Sequence, residues 1–307
     1  MLNLGGSHAP LKFSLYADES KPDKSCPWLI IGILVLADAV KAEALMRLRA
    51  AREEFGYQRE IHFQRITNLS TRRCGEKTAV ALDWVRCVIG DRRRTWNLHV
   101  RAISPQRLNY SRFGSVPDDN IYTRFFRSTV SYAIKASIKA EPFSISRVFH
   151  DDSHLSNHQY FPWNAIRRLG WDDGVTFGTS EIEFVSSDHN RPAHPFPEAA
   201  EFIQLVDVWI GVFRQVLTSA SSNVGKLEVA NVAGDFLRTL NDPDHRCYSG
   251  TQIACSYEHR GRCSLGYFPH ATLGKEEMAG LAADMKSHFY LGEKLLLFDD
   301  PAQMRMF

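Results

Sequence analysis

No apolar run in this chain approaches the roughly 20 residues that a bilayer-spanning helix needs, and the opening residues MLNLGGSHAP lack the charged start and apolar stretch of a secretory signal. A cytoplasmic chain without a membrane segment is expected. Cysteine is scarce: 6 in 307 residues, scattered before residue 90 and gathered again near 250. That spacing excludes a disulfide framework and suits a reducing compartment. An excess of one charge is also missing, because 37 Lys and Arg stand against 35 Asp and Glu. A protein that coats nucleic acid with a global basic field is thereby excluded, and any such binding has to come from local patches. Absent too are the G-x-x-x-x-G-K-[ST] phosphate loop, the G-x-G-x-x-G fingerprint and the G-x-S-x-G elbow. NTP hydrolysis, dinucleotide redox chemistry and α/β-hydrolase esterase activity lose their usual supports.

What is present is an α/β pattern in a chain long enough to bury a sizeable core, with 44% hydrophobic and 23% charged residues. Residues 12–18 and the continuously apolar 28–36 read as two strands joined in a hairpin. Further strands are expected over 96–103, 144–151 and 181–186. Helices are expected over 38–55, with Asp38 as the cap and Gly56 as the stop, and over 76–89, 120–139, 163–169 and 197–217. Strand and helix alternate, as a sheet covered by helices requires. Past a linker at 219–225 the pattern weakens to a helix over 226–240, an irregular stretch bearing cysteine and histidine, and a helix near 276–290.

Carboxylates carry the chemistry. Asp18 and Asp151 each end an apolar strand, and in open α/β sheets ligands gather outside the carboxyl ends of strands. Asp207 sits inside the apolar helical run Phe202-Ile203-Gln204-Leu205-Val206-Asp207-Val208-Trp209-Ile210, where a charge is costly unless paired or bound to a cation. Gln204 and Gly211 share its helix face. Glu60 and His62 alternate, so in extended backbone both point the same way, one toward a metal and the other toward a water or leaving group. Glu19 and Asp152 are secondary candidates, facing away if their strands continue. A Mg2+ or Mn2+ ion held by Asp18, Asp151 and Asp207 would support displacement at phosphorus. The competing readings are turn chemistry for the strand-end aspartates, a buried salt bridge to arginine for Asp207, a solvent-facing Glu60 and a structural His62.

At Tyr16-Ala17-Asp18-Glu19-Ser20, the strand at 28–36, Glu60-Ile61-His62, Val148-Phe149-His150-Asp151 and Gln204-Leu205-Val206-Asp207, the sequence resembles the domain of unknown function family numbered 3800, a ribonuclease H-like group. It departs from that family at Lys21, where glycine is common, and at Val206, where a small residue is common. The resemblance covers about residues 11–217. It implies an α/β fold built on a ribonuclease H-like mixed sheet with flanking helices, placed at 1–219, followed by a helical and irregular C-terminal extension at 220–307. It also implies a metal-dependent nuclease acting on RNA or DNA, with Asp18, Glu60, Asp151 and Asp207 as the catalytic set.

Other signals sit outside that set. Cys247, Cys255, His259 and Cys263 offer ligands for a structural Zn2+, the alternative being reduced, incidental cysteines. Arg72-Arg73, Arg92-Arg93-Arg94 and Arg167-Arg168 after Trp163 suit a nucleic-acid backbone, or else solvated helix ends. Histidines at 150, 154, 158, 189 and 194 lie close to the carboxylates in sequence. The opposing hypothesis is a catalytically inactive module that binds nucleic acid, or protein partners within a multi-component assembly.

Overall fold

A computed structural model describes residues 10–70, 73–91, 95–108, 110–139, 142–218, 221–240, 255–259 and 263–268. The chain order is β1 (Leu11–Ser20), β2 (Leu29–Ala37), α1 (Lys41–Phe55), β3 (Asn68–Ser70), β4 (Arg73–Cys74), α2 (Glu76–Gly90), β5 (Asn97–Ile103), α3 (Pro117–Ser137), β6 (Phe143–Asp151), α4 (Phe161–Asp172), β7 (Glu183–Val185), α5 (Pro197–Thr218), α6 (Val224–Leu240), β8 (Cys255–His259) and β9 (Cys263–Phe268).

The main sheet runs β7-β6-β1-β2-β5-β9-β8, while β3 and β4 form a separate ribbon. β1, β2 and β5 are antiparallel neighbours, and β6 and β7 continue parallel to β1. Numbered among themselves, these five strands stand in the order 3-2-1-4-5. This is a ribonuclease H-like mixed sheet. β1 and β2 have both faces covered, so their residues read as unbroken apolar runs rather than as alternation. One face packs with Tyr16, Leu34, Phe149 and the buried sides of α1, α2 and α5. The other packs with Leu15, Ile33 and Val148 against α3 and α4.

α5 crosses the middle of the first face and approaches it closely. A Cβ on Gly32 of β2 would lie 2.7 Å from Val206 Cγ1 and 2.9 Å from Ile210 Cγ1. The bulk of Val206, where the resembled family has a small residue, is accommodated by a bare backbone on the strand opposite.

The structure departs from expectation in two places. Asp38 does not cap α1; the helix is preceded by a 3-10 turn at Asp38–Val40, and Asp38 accepts hydroxyl bonds from Ser14 at 2.8 Å and Ser146 at 2.7 Å. Those partners lie on β1 and β6, so a strand-pinning role competes successfully with capping. The tail is also less irregular than its composition suggests. β8 and β9 form an antiparallel pair, and β9 lies parallel to β5 at the sheet edge. Such edges recruit strands through backbone groups, which sequence composition does not display. The helix expected near 276–290 lies outside the described residues. No described helix is long and apolar enough to cross a membrane.

Candidate active site at the carboxyl edge of the sheet

β1 and β6 are parallel with Ala17 opposite His150, so the next residues, Asp18 and Asp151, stand side by side at the carboxyl edge. Strand alternation puts them on the face of Tyr16 and Phe149, against α5. α5 delivers Asp207 to the same corner. Asp18 is 5% exposed, and its Oδ1 accepts the Glu19 N–H at 2.7 Å. Burial holds its carboxyl well above the usual range, and the charges of Asp207 and Asp151 act in the same direction. Asp151 is pushed up to about 6, chiefly by burial, with His150, Ser187 and His62 pulling the other way.

Two residues of α5 bring the loop after α1 to this corner. Gln204 Oε1 accepts the Ile61 N–H at 2.9 Å, and Asp207 Oδ2 accepts the Phe63 N–H at 2.7 Å. Positions three apart on one helix face therefore grip alternate amides of an extended segment, with His62 between them at φ −120° and ψ 127°. His62 lies between two carboxylates, Nδ1 3.3 Å from Asp207 Oδ2 and Nε2 3.4 Å from Glu60 Oε1. Its ring is held above its ordinary pKa, first by the bond to Asp207. Glu60 also accepts the Ser187 hydroxyl at 2.8 Å and faces Arg65 Nη1 at 3.1 Å.

Gln204 is fully buried and fully engaged. Its Oε1 also accepts Arg52 Nη2 at 2.6 Å, and its Nε2 donates to Ser187 O at 2.6 Å and lies 2.9 Å from His189 Nδ1. The buried arginine of the competing reading exists, but it is Arg52. It pairs with Glu201 at 3.4 Å and stacks over Trp84 at 4.8 Å, and among the described residues no arginine reaches Asp207. One turn along α5, a Cβ on Gly211 would fall 2.1 Å from the Phe63 ring. Gly211→Ala is therefore expected to displace Phe63 and cost about 1–3 kcal/mol, read as a lower urea midpoint at unchanged slope.

Asp18, Asp151, Asp207, Glu60 and His62 thus meet at one corner of the fold. Glu19 faces the other side of the sheet, 3.4 Å from the buried His150 Nε2, which in turn bonds the Tyr122 hydroxyl of α3. Asp152 is exposed, and its N–H donates to Val185 O at 2.9 Å. Of the other histidines, His154 faces Asp119 and Lys21, His158 accepts the Tyr160 and Phe161 amides, and His194 reaches Ser186 O. Ser187 was not legible as a site residue; its only signal is its place just past a short strand. Arg72 and Arg92 to Arg94 lie outside the described residues.

The donor set suits a hard divalent cation in kind, being carboxylate oxygen drawn from two strands and a helix, with the like charges of Asp207, Asp151 and Glu19 all acting on Asp18. It is not closed around one: among the described residues, no group of three or more His, Cys, Asp or Glu is arranged to hold a metal ion. For zinc, Cys247 lies outside the described residues, and Cys255 and His259 are the two ends of one extended strand. Four residues at about 3.4 Å each set them roughly 13 Å apart, beyond the span of one tetrahedral ion.

No protein-family model matches the chain, and no curated protein matches it. Among solved structures, a chain of the PCNA:RNase HII complex from Archaeoglobus fulgidus aligns at 14% identity and TM-score 0.33, over 74% of this chain and 78% of that one. Bst-RNase HIII, solved in complex with Mn2+, aligns at 14% identity and TM-score 0.35, over 75% of this chain and 63% of its own. Likenesses this distant say nothing about chemistry.

Proposed function

We propose that this chain is a metal-dependent phosphodiester hydrolase acting on RNA or DNA, and a divergent member of the resembled family 3800. The observation that carries the reading is the convergence of Asp18, Asp151 and Asp207 from β1, β6 and α5, with burial and mutual repulsion raising the pKa of Asp18. A fold tolerates such an arrangement where a cation relieves it. Asp18, Asp151 and Asp207 would hold Mg2+ or Mn2+ after side-chain rotation. When bound, such ions activate a water and stabilise the leaving oxygen.

The remaining residues prepare the site. Gln204 and Asp207 fix the backbone of 61–63, so that Glu60 and His62 face the carboxylates. Glu60, oriented by Ser187, is placed to receive a proton, and His62, raised by Asp207, to hold one.

The test is a panel of labelled single- and double-stranded RNA and DNA with Mg2+, Mn2+ or chelator. Cleavage that needs the metal is expected, with apparent metal affinity rising through about pH 6, where metal-free Asp151 gives up the proton that competes with the ion. Metal-independent binding without cleavage would replace the enzyme with a binding module, the alternative that the open spacing of the carboxylates favours.

A further inference from the structure

Six tryptophans occur in the chain. Trp28, Trp84, Trp96 and Trp209 are buried. The other two, Trp163 at 37% and Trp171 at 69% exposure, lie on the outer face of α4. Arg167 stands between them at helical spacing, its Cζ 5.3 Å from the Trp163 ring centroid and 4.2 Å from that of Trp171. Exposed Tyr160 extends the row, its ring 6.1 Å from Trp163, and exposed Arg168 flanks it. The opposite face of α4 supplies the core through Phe161, Ala165, Ile166 and Leu169, so the row is not a by-product of packing.

We infer that this Trp163–Arg167–Trp171 row is a stacking platform for unpaired bases of a single-stranded nucleic acid. Each indole offers a face to a base, and the guanidinium stacked between them fixes the rings and carries charge for the phosphates. Charge selects the occupant. The helix's one acid is Asp172 at its last position, while Arg167 and Arg168 make no ion pair among the described residues. The exposed face holds aromatic and cationic groups and no aliphatic ones, which suits bases and phosphates better than an apolar protein partner.

Position supplies the second argument. Tyr160, at the start of the row, also lines a groove of about 540 Å3 with Asp119, Asn120, His154, His158 and Gln159. His154 follows Asp151 by three residues and faces Asp119, so this groove begins just past the end of β6, on the α3 and α4 side of the sheet. Along α4 the two tryptophan backbones are about 12 Å apart at 1.5 Å per residue, and the guanidinium they share draws their rings closer together than that. A strand cut at the edge would run through the groove and lay its bases on α4. This rests on the proposed function for the strand's destination, although binding to the row does not need cleavage.

The experiment measures anisotropy of fluorescein-labelled dT20, U20 and a 20-base-pair duplex in chelator, so that nothing is cut. Trp171→Ala and Trp163→Ala are each expected to weaken single-strand binding about tenfold with duplex binding and Tm unchanged. Arg167→Lys, which keeps the charge and loses the flat stack, should weaken it as well. Unchanged single-strand affinity in the Trp variants, or no single-strand binding by the wild type, overturns the inference. So does a wild-type dimer in sedimentation that Trp171→Ala dissolves while strand binding stays the same. Metal-dependent cleavage alongside any of those results leaves the proposed enzyme standing; row-dependent binding without cleavage does the reverse.

Discussion

Asp18→Asn is expected to lower metal-dependent cleavage by about a thousandfold or more, some 4 kcal/mol of transition-state stabilisation at 1.36 kcal/mol per decade, and at the same time to make the protein more stable. The two effects have one origin. Burial, then Asp207 and Asp151, raise the folded-state pKa of Asp18 above its unfolded value. The folded chain therefore holds that proton more tightly than the unfolded chain. Its stability relative to an untitrated reference is full below the unfolded carboxylate range and is lost as pH rises through the raised value. At pH 8 the carboxyl is a burden on the fold, either as a buried charge or as a proton that the unfolded chain would have released, and asparagine removes it, which reads as a higher Tm. At pH 3.5 the variant and wild type should melt together. Full cleavage by a folded Asp18→Asn protein would sink the proposed chemistry. A Tm that falls at pH 8 would show that the corner is not a site of uncompensated charge.

Gln204→Leu is expected to be the most destabilising single change considered, at about 3–5 kcal/mol and a Tm loss of roughly 10–15 °C. Leucine fills similar volume but abandons the Arg52 guanidinium, the Ile61 amide and the Ser187 carbonyl in a region without water access. The cost is that of stranding buried polar groups, not of losing apolar contact. Gln204→Glu keeps an acceptor for Arg52 and Ile61 and loses the donor to Ser187 O, so its loss should be visibly smaller. Chemical denaturation of the three proteins decides it: a leucine variant as stable as wild type would mean that the helix does not clamp the loop.

The parts of the site visible in the sequence are those that local patterns betray. Asp18 and Asp151 stand where apolar strands stop, and Asp207 interrupts an apolar helix, each a contrast readable within ten residues. The apolar runs of β1, β2 and β6 and the glycine stop of α1, with Gly56 at φ 67°, are local in the same way. What escaped depends on which segments become neighbours. Asp38 looks like a helix cap until Ser14 and Ser146 are seen beside it. Ser187 gains its place from Glu60, 127 residues away, and Glu19 from His150 and Tyr122 across the sheet. The β8–β9 pair is specified by a free strand edge rather than by its own composition.

The clamp between α5 and the loop at 61–63 also sets a timetable. Its two halves are 143 and 144 residues apart in the chain, and β1 meets β6 across a similar gap. Contacts of such long range have to overcome loop-closure entropy before they return any stabilisation, so they form late and folding is slow. A chain emerging from the ribosome carries Asp18 and Asp151 long before Pro197–Thr218 exists to complete the corner. Docking of that helix buries apolar surface, orders the Glu60 loop and delivers the third aspartate in one event. Assembly of the carboxylate corner is thereby tied to a late long-range step of core formation, and a partly folded chain displays its acids without the geometry that would let them act together.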